Sequence, residues 1–359
     1  MKIAVDVRMM WASGIGSYIR NLVSRIIVRY PDIKFYLLGN PAEMDRWEGF
    51  KKPNVQRIKT SSPIFSFSEQ WEIARKIPLD SALFWSPNYN FPVLYKGKLL
   101  VTVHDVFHLA NPQFVSGPHR RFYAKFMFKK LVDRSDEILC VSQFTKKELL
   151  RLAGGKADKM NVIHNGVDPS WFKVAKKERP HPKPYLLFVG NVKPHKNLGR
   201  LLQAFALLKD RIPHDLILIG KKEGFITGDR EVINQAERFG KRVRFTGVLE
   251  DEQLHQFYAC ADLLVFPSLY EGFGLPPLEA MASGTPVACS NTASLPEVCG
   301  DASIYFDPYR PEDMAEKIEK VLTDKTLRKD LMKKGLEHAH RFDWENTVAE
   351  TARILERMF

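Results

Sequence analysis

Two glutamates placed eight residues apart, Glu271 and Glu279, bracket a loop that can bind an anion. The segment reads EGFGLPPLEAMA, with glycines before two prolines and a helix-like run after them. Proline is favoured at the first position of a helix, where a backbone N–H would have no partner within the helix. The loop is therefore expected to present the backbone N–H groups of Phe273, Gly274 and Leu275 at a helix N-terminus, which attracts negative charge. This spacing predicts an anion site with a carboxylate on either side.

The two carboxylates suit different parts of one ligand. Glu279, early in the predicted helix, can accept two hydrogen bonds from a vicinal diol such as a ribose. Glu271, before the loop, can face a second polyol on the other side of the anion. A nucleotide sugar has this order of groups. An ordinary loop with a helix-stabilising carboxylate is the alternative explanation for Glu279 considered alone.

The segment 271–282 as a whole resembles the donor-site signature of family 4 glycosyltransferases, which have the two-domain GT-B fold. The resemblance implies that Glu271 contacts the transferred sugar and that Glu279 binds the ribose. It also implies retention of configuration at the anomeric carbon, with attack on the face from which the phosphate leaves and with that phosphate as the base. The similarity covers nearly the whole chain and is strongest between about residues 185 and 310.

A basic cluster follows the first strand predicted in the second half of the chain. In the resembled family a glycine here is followed by basic residues whose last lysine binds the donor diphosphate, and Gly190 and Lys196 match those two positions. Many members have an arginine directly after the glycine or directly before the lysine. This sequence has Asn191, which is expected to bind the donor, and His195 at those positions. The second cation on the diphosphate is left open between Lys193 and His195, and a solvated loop charge is the plain alternative for any one of these residues.

Two other strand ends carry candidate site residues. The resemblance places Gly220 and Lys221, after the next strand, near the base and the diphosphate of the donor. It also places His104, after the strand Lys98–Val103, near the donor sugar and phosphate. A neutral histidine can donate a hydrogen bond to a sugar hydroxyl or steady the phosphate. Histidine is also a common polar residue at strand ends, so this prediction depends on the glutamate signature.

A glycine-containing turn follows the first strand of the chain. Gly14 and Gly16 are expected to hold phosphate or an acceptor hydroxyl through backbone N–H groups where the turn opens a helix. A dinucleotide-binding fingerprint requires a third glycine at position 19, where the sequence has Ile19. An NAD-binding function is therefore not favoured, and a tight strand-to-helix turn without a ligand is the remaining alternative.

Negative charge must be stabilised on the departing phosphate when a nucleotide sugar reacts. Lys196 and the N–H groups around Gly274 can supply that stabilisation, and removing one such contact typically costs ~3 kcal/mol in the barrier. We predict that Glu271, His104 and Lys196 act in the reaction. No Asp-x-Asp motif follows a strand, and no His/Cys cluster has the spacing of metal ligands. The sequence therefore predicts transfer without a metal ion or another cofactor.

Short β-rich runs alternate with helical patterns in both halves of the chain, which is typical of parallel sheets covered by helices. Six strands are predicted in each half. Together with the resemblance, this predicts an α/β protein of the GT-B fold, with two Rossmann-like domains facing each other across a cleft. The expected parts are an acceptor-binding domain at 1–175, a donor domain at 176–341 and a C-terminal helix at 342–359 that returns to the first domain. Ligands of open α/β sheets bind at the carboxyl ends of the strands, where the candidate residues lie.

The net charge of +12 is unevenly distributed along the chain. Residues 1–180 contain 30 Lys and Arg against 16 Asp and Glu, whereas residues 181–359 contain 24 against 26. The basic half favours a polyanionic partner such as anionic lipid or a phosphorylated acceptor, and solubility is the plain alternative. Nucleic acid is not favoured, because no recognised binding motif is present. Four scattered cysteines and a strand-like N-terminus indicate a cytoplasmic protein.

Residues 119–134 are expected to form a basic, aromatic-rich helix. Its basic stripe consists of Arg121, Lys125 and Lys129. Its apolar face consists of Tyr123, Phe126, Met127 and Leu131. Such a helix can lie on an anionic membrane, and packing of the apolar face in the domain core is the alternative. With the basic half, this predicts peripheral contact with the inner face of the membrane, where a lipid-linked acceptor would be met.

The leading hypothesis is a retaining hexosyltransferase that acts on a glycan or lipid-linked acceptor in the biosynthesis of surface polysaccharide or lipopolysaccharide. The Lys196–Asn197 pair resembles that of mannosyltransferases in the family, so GDP-mannose is the first donor to test. A UDP-sugar donor and a nucleotide-sugar epimerase of the same fold are open alternatives. A nucleic-acid-binding protein without enzymatic activity is the alternative from another class.

Overall fold

The computed structural model describes residues 1–115, 117–174, 178–221 and 230–359. Their contacts divide the chain into two compact units. The first unit contains Met1–Gly166 together with Asp343–Phe359, and the second contains Val167–Phe342. The first unit is therefore made of two separate stretches of the chain.

The predicted domain boundary between residues 175 and 176 lies outside the described residues. The segment just before it belongs to the second unit. In this segment Trp171 is buried and packs edge-on against the rings of His255, at 4.0 Å, and Tyr258, at 4.8 Å between ring centroids. This packing explains why the second unit begins at Val167, before the predicted boundary.

Within the described residues, each unit has one sheet, and all its strands are parallel. The first sheet has the order β3-β2-β1-β4-β5-β6-β7, with β1 Lys2–Asp6, β2 Lys34–Gly39, β3 Val55–Lys59, β4 Leu83–Ser86, β5 Leu99–Val103, β6 Glu137–Cys140 and β7 Met160–Val162. The second has the order β10-β9-β8-β11-β12-β13, with β8 Tyr185–Val189, β9 Asp215–Ile219, β10 Val243–Gly247, β11 Leu263–Phe266, β12 Val287–Ser290 and β13 Ile304–Phe306. The predicted α/β class is confirmed.

The helices alternate with these strands along the chain. In chain order they are α1 Ser13–Tyr18, α2 Ser24–Arg29, α3 Pro41–Met44, α4 Phe67–Lys76, α5 Phe107–Ala110, α6 Pro118–Arg134, α7 Gln143–Ala153, α8 Leu198–Leu208, α9 Arg230–Glu237, α10 Asp251–Cys260, α11 Leu275–Ala282, α12 Leu295–Cys299, α13 Pro311–Thr323, α14 Lys325–Ala339 and α15 Trp344–Met358. Among the described residues, no helix combines the length and the apolar character needed to cross a membrane.

The last helix packs in the unit that contains the first strand. Ile3 and Val5 of β1 are completely buried, as expected for a strand covered on both faces. They belong to one hydrophobic core with Trp344 and Leu355 of α15. The C-terminal residues therefore complete the core that the N-terminal strand begins.

Two elements of the first unit differ from the sequence-based expectation. The edge strand β3 adds a seventh strand to the six expected, because its residues VQRIK are exposed or half-buried and lack an apolar run. In the helix α6, Phe126 was expected on the apolar face with Met127 and Leu131 but is exposed. The outward face of α6 thus mixes aromatic with basic side chains.

Candidate active site

The carboxyl ends of β8 and β11 lie side by side at the centre of the second sheet. The loop after β8 carries Lys196, and the loop after β11 carries Glu271. Their side chains meet, with Lys196 Nζ 2.5 Å from Glu271 Oε1. The fold therefore joins two residues, 75 positions apart in the sequence, that were predicted to contact the same ligand.

Lys196 is oriented by the residue that follows it. Asn197 adopts a left-handed backbone conformation, with φ of 59°, between the turn that ends at Lys196 and the start of α8. Its buried side-chain amide donates hydrogen bonds to the carbonyl oxygens of Pro267, at 3.1 Å, and Pro308, at 2.7 Å. Asn197 thus fastens the loop that carries Lys196 to the segments that follow β11 and β13.

The charge state of Glu271 is set by its basic neighbours. Burial by itself raises the pKa of the Glu271 carboxyl, but the charges of Lys196 and His195 outweigh burial and hold the pKa below its ordinary value. Glu271 is therefore a carboxylate at neutral pH. His195, one of the two residues left open as the second cation, lies close enough to act on this carboxylate. Lys196 also lies over the ring of Phe266, 5.4 Å from its centroid.

The loop between β11 and α11 is held by one buried hydroxyl. Ser294 Oγ lies 2.9 Å from the carbonyl oxygen of Glu271 and 2.6 Å from that of Phe273. Gly274 follows with φ of 114°, a backbone conformation that favours glycine. The helix α11 then begins at Leu275, as the sequence pattern predicts.

The two prolines decide which backbone donors α11 presents. The first N–H groups of a helix have no acceptor within it. Pro276 and Pro277 have no N–H, so the first-turn donors are restricted to the residues just before them. Gly274 and Leu275 therefore carry the donors at this helix end, where the dipole adds partial positive charge. This end of α11 suits a phosphate group.

Glu279 lies on α11 beside the buried ring of Tyr258, whose hydroxyl donates to Glu279 Oε2 at 3.0 Å. Burial raises the pKa of Glu279 to about 7, the hydrogen bond from Tyr258 opposes this, and the charges of Asp251 and Asp168 add to it. The carboxyl group therefore titrates near neutral pH. The ribose diol predicted from the sequence would need the ionised form to donate two hydrogen bonds, so its binding would be coupled to proton release from Glu279.

Two glycines allow the loops after β8 and β9 to approach each other. A Cβ on Gly220 would lie 2.2 Å from the carbonyl oxygen of Gly190, so the approach requires glycine. Asn191 Oδ1 accepts a hydrogen bond from the backbone N–H of Lys221 at 3.0 Å. Asn191 therefore fixes the position of the second loop, a role that the prediction of donor binding did not include. The Lys221 side chain is exposed.

His104 follows β5 in the first unit, as predicted from the sequence. Its Nε2 lies 2.9 Å from the carbonyl oxygen of Pro87, which can only accept, so Nε2 carries the proton. Burial lowers the pKa of His104, so the ring is neutral and Nδ1 is an acceptor. In this state His104 can accept a hydrogen bond from a sugar hydroxyl at Nδ1 but cannot donate one there, which corrects the expectation of a donor.

The two glycines of the first turn have different positions in the structure. Both lie inside α1 rather than in a loop before it. The N–H of Gly16 donates to the carbonyl oxygen of Ala12 at 2.8 Å, so it is already used. A Cβ on Gly16 would lie 2.7 Å from the carbonyl oxygen of Met10, and glycine is needed there for packing. Gly14, exposed at the helix start, is the residue of this pair that can still contact a ligand.

A buried ion cluster in the first unit was missed by the sequence analysis. Arg8, after β1, binds Asp6 (Nη2–Oδ2, 2.6 Å) and Glu69 of α4 (Nη1–Oε2, 2.7 Å). With Asn88 and other polar residues, Asp6 and Arg8 line a cavity of about 10 Å³, the size of one water molecule. Asp6 and Arg8 could have been found from the sequence, because charged residues at the end of an apolar strand indicate a polar site there. No local pattern marks Glu69, on a mostly polar helix, as buried.

The described residues include no group of three or more His, Cys, Asp and Glu side chains arranged to hold a metal ion. Lys196, His195 when protonated, and the end of α11 supply positive charge to the site. These groups can stabilise a diphosphate.

Two family models match consecutive parts of the chain. The model described as glycosyltransferase family 4 matches residues 12–171, and the model described as glycosyl transferases group 1 matches residues 169–338. The first match contains His104, and the second contains Lys196, Glu271 and Glu279. The resemblance stated from the sequence motifs is confirmed by these matches.

The chain is also similar to curated mannosyltransferases. It is 33% identical to the O-antigen chain mannosyltransferase B of Escherichia coli over 282 residues, which are 75% of this chain and 72% of that protein. It is 31% identical to the serotype-specific mannosyltransferase WbdA of Escherichia coli over 70% of this chain. That match spans only 32% of WbdA, about a third of its length.

Solved structures with the same fold cover almost the whole chain. The sucrose-phosphate synthase from Thermosynechococcus elongatus has a TM-score of 0.82 and 20% identity, with 100% of this chain and 99% of that chain covered. The Anabaena protein HepE in complex with UDP and glucose has a TM-score of 0.78 and 20% identity, with 99% and 100% covered. At this level of identity the likeness establishes the fold, which is the predicted GT-B fold.

Proposed function

This chain belongs to the group 1 glycosyltransferases, and we propose that it transfers a hexose from a nucleotide sugar to a glycan or lipid-linked acceptor. The proposal depends on one observation above all, the contact between Lys196 and Glu271 beside the loop that opens α11. This arrangement offers a cation and backbone donors to a diphosphate and a carboxylate to the sugar. Similarity to O-antigen mannosyltransferases supports a place in the biosynthesis of lipopolysaccharide or another surface polysaccharide.

Mannose is the proposed sugar, and GDP-mannose the proposed donor. Two relatives are named as mannosyltransferases, and the first of them covers 75% of this chain. The Lys196–Asn197 pair, in which Asn197 fixes the loop of Lys196, resembles the pair found in such enzymes. UDP-sugars are the second donor class to test, because HepE, which shares the fold, was solved with UDP and glucose.

The proposed reaction retains the configuration of the sugar and needs no metal ion. The acceptor hydroxyl oxygen bonds to the anomeric carbon, the bond from that carbon to the diphosphate oxygen breaks, and the hydroxyl proton passes to the leaving diphosphate. Lys196 and the backbone donors of Gly274 and Leu275 stabilise the charge on the leaving group. Glu271, ionised in the free protein, orients the sugar hydroxyls and favours the positive charge that develops on the sugar.

The proposed test measures transfer from GDP-mannose, UDP-glucose and other nucleotide sugars to a defined acceptor, with and without EDTA. Glu271→Gln and Lys196→Ala are compared with Glu316→Gln and Lys320→Ala, which change exposed residues of α13 in the same unit. We expect the first two variants to lose transfer and the two controls to keep it. Full activity of Glu271→Gln and Lys196→Ala would remove the site assignment.

Three further outcomes of this test separate the parts of the proposal. Loss of activity in EDTA, restored by a divalent cation, would contradict metal independence. An inverted linkage in the product, determined by NMR, would contradict retention. Conversion of the nucleotide sugar to an epimer without an acceptor would contradict transfer itself.

A further inference from the structure

Exposed aromatic side chains are concentrated in one part of the first unit. In the described part of the chain, seven of 15 exposed large apolar side chains lie between residues 65 and 126. The most exposed aromatic residues are Phe67 (88%) and Trp71 (59%) on α4 and Phe122 (74%) on α6. Scattered exposed apolar residues are normal on a protein surface, but a cluster of large aromatic ones indicates contact with another molecule.

These residues occupy the outward faces of two helices. Phe67 and Trp71 are four positions apart on α4, and the inward face of that helix carries the buried residues Glu69 and Ile73. Phe122 and Phe126 are four positions apart on α6, and both are exposed. We call the outward faces with Phe67, Trp71, Phe122 and Phe126 the aromatic surface.

The inward sides of α4 and α6 are joined through one buried residue. Asn90 donates through Nδ2 to Glu69 Oε1 at 2.5 Å, and Tyr123 of α6 donates its hydroxyl proton to Asn90 Oδ1 at 2.6 Å. Phe65, just before α4, also packs edge-on against the ring of Tyr123, 6.4 Å between centroids. The two helices are therefore neighbours, and the aromatic surface is one region of the first unit.

The charge of the aromatic surface selects the kind of partner. α6 carries six Lys and Arg residues and one Asp, a balance of +5. Lys125, Lys129 and Lys130 are exposed on the same helix as Phe122, and Arg75 is exposed one turn after Trp71. A second copy of this surface would be repelled by the like charge, whereas an anionic surface would be attracted.

We propose that the aromatic surface lies on an anionic lipid bilayer. Aromatic rings flanked by basic side chains suit the boundary between headgroups and acyl chains, because the rings enter the apolar layer while Lys and Arg contact lipid phosphates. The helix α4 adds Phe67 and Trp71 to the contact. The sequence pattern predicted no role for either residue. The inference extends the proposed function, since it would bring a lipid-linked acceptor to the first unit, but binding to lipid can be measured without any transfer.

The test is sedimentation of the chain of residues 1–359 with vesicles at about 0.1 M salt, where charges are only partly screened. Vesicles of phosphatidylglycerol with phosphatidylcholine should bind it, and vesicles of phosphatidylcholine alone should bind it at least about tenfold more weakly. The double variant Phe67→Ser/Trp71→Ser should weaken binding to the anionic vesicles at least about tenfold. Lys125→Ser/Lys129→Ser should weaken it strongly at low salt and little at high salt.

A matched control changes exposed apolar residues of the second unit, Leu207→Ser/Val248→Ser, and should leave vesicle binding unchanged. The inference is overturned if the wild type stays in the supernatant with anionic vesicles, or if this control weakens binding as much as the α4 variant. It is also overturned if sedimentation velocity shows self-association that the α4 variant abolishes while vesicle binding persists. That result would make the surface a protein contact.

Transfer to a water-soluble acceptor, measured on the same preparations, keeps the two proposals apart. The α4 variant should retain this transfer, because Phe67 and Trp71 are outside the donor site. Absence of vesicle binding together with normal transfer contradicts only the proposal that the aromatic surface binds lipid. Vesicle binding by a wild-type protein that transfers no sugar contradicts only the proposed glycosyltransferase function.

Discussion

Lys196 and Glu271 neutralise each other in the free protein, so removing one of them leaves the other unpaired. Lys196→Ala should reduce the turnover number at least about a hundredfold, because one preorganised charge contact to the leaving group is lost. It should also lower the free energy of unfolding by about 2 kcal/mol, since a partly buried carboxylate loses its partner. Steady-state transfer kinetics and denaturant unfolding measure these two effects.

A double variant separates stability from catalysis at this pair. Lys196→Ala/Glu271→Gln removes both charges, so it should recover most of the lost stability and none of the activity. If the double variant is as unstable as Lys196→Ala, then the loss comes from packing against Phe266 and not from the unpaired carboxylate.

Glu279 gives the protein a pH dependence opposite to that of most carboxylates. Its pKa of about 7 in the folded protein lies above the ordinary value of 4.5 expected in the unfolded chain. Between these values the folded state holds a proton that the unfolded state has lost, so stability falls as pH rises from about 4.5 to about 7. The whole effect is at most about 3 kcal/mol. Denaturant unfolding of the wild type and of Glu279→Gln should show it, with the variant more stable than the wild type at pH 8.

The same residue should make donor binding stronger as pH rises. A ribose diol donates to the ionised carboxyl, so the dissociation constant for the donor should fall between about pH 6 and 8 and level off above. Isothermal titration calorimetry should also show proton release on binding below pH 7. In Glu279→Gln the affinity should be weaker and independent of pH over this range. A wild-type affinity that does not change with pH would contradict the ribose assignment.

Site residues that form a recognisable local motif could be predicted from the sequence. Glu271 and Glu279 surround a Gly-Pro helix start, and in the structure Glu271 lies in the loop before α11 and Glu279 lies on α11. Asn191 and Gly16 were predicted to contact ligands; in the structure Asn191 accepts a hydrogen bond from the loop after β9, and the N–H of Gly16 bonds Ala12 at the start of its own helix. Tyr258, which holds Glu279, is 21 positions away in the sequence, and no local pattern could link the two.

At the scale of elements, the loop after β8 depends on Asn197. Asn197→Ala removes two buried hydrogen bonds and places alanine in a left-handed conformation, so stability should fall by about 2–4 kcal/mol. Asn197→Gly keeps the left-handed conformation but loses the hydrogen bonds. The stability of this variant should fall by about 2 kcal/mol. Both should lower the turnover number more than they raise the Michaelis constant for the acceptor, because Lys196 loses its orientation.

The measurement is thermal or denaturant unfolding combined with transfer kinetics. Arg200→Ala is the matched control. Arg200 donates a hydrogen bond to Asn197 Oδ1, so this change leaves Asn197 Nδ2 and its hydrogen bonds to Pro267 and Pro308 in place. Normal turnover in Asn197→Gly would show that these hydrogen bonds do not orient Lys196.

Elements with strong patterns were easier to predict than elements at an edge. The central strands β1 and β8 are apolar runs bounded by loops, and the sequence predicts them at Lys2–Val7 and Tyr185–Val189, within one residue of their bounds in the structure. The strand β3 has one neighbour, β2, and its polar side chains are compatible with solvent, so its sequence resembles a loop. The face of α6 that meets water was misassigned at Phe126, because spacing alone does not say which apolar residues meet a core.

At the scale of the whole molecule, the first unit needs both ends of the chain. A truncated protein that ends at Phe342 lacks α15, and with it Trp344 and Leu355 of the first core. We expect the first unit to lose its cooperative unfolding transition, because a large apolar surface is left uncovered. The second unit should keep its own transition and its affinity for the donor.

Calorimetry and hydrogen exchange with mass spectrometry measure this difference unit by unit. Removal of Phe359 alone, which is exposed at the end of α15, is the control and should change little. A truncated protein in which the strands of the first sheet stay as protected as in the full chain would contradict the expectation.

The division of the first unit also sets the order of events on the ribosome. The strands β1 to β7 are synthesised before the second unit, but the helix that covers part of their core is synthesised after it. The second unit is continuous from Val167 to Phe342 and can complete its folding while translation continues. The first unit of the nascent chain must therefore wait, with its apolar face for α15 uncovered, until α15 has left the ribosome. Chaperone demand during expression should accordingly arise from the half that is made first.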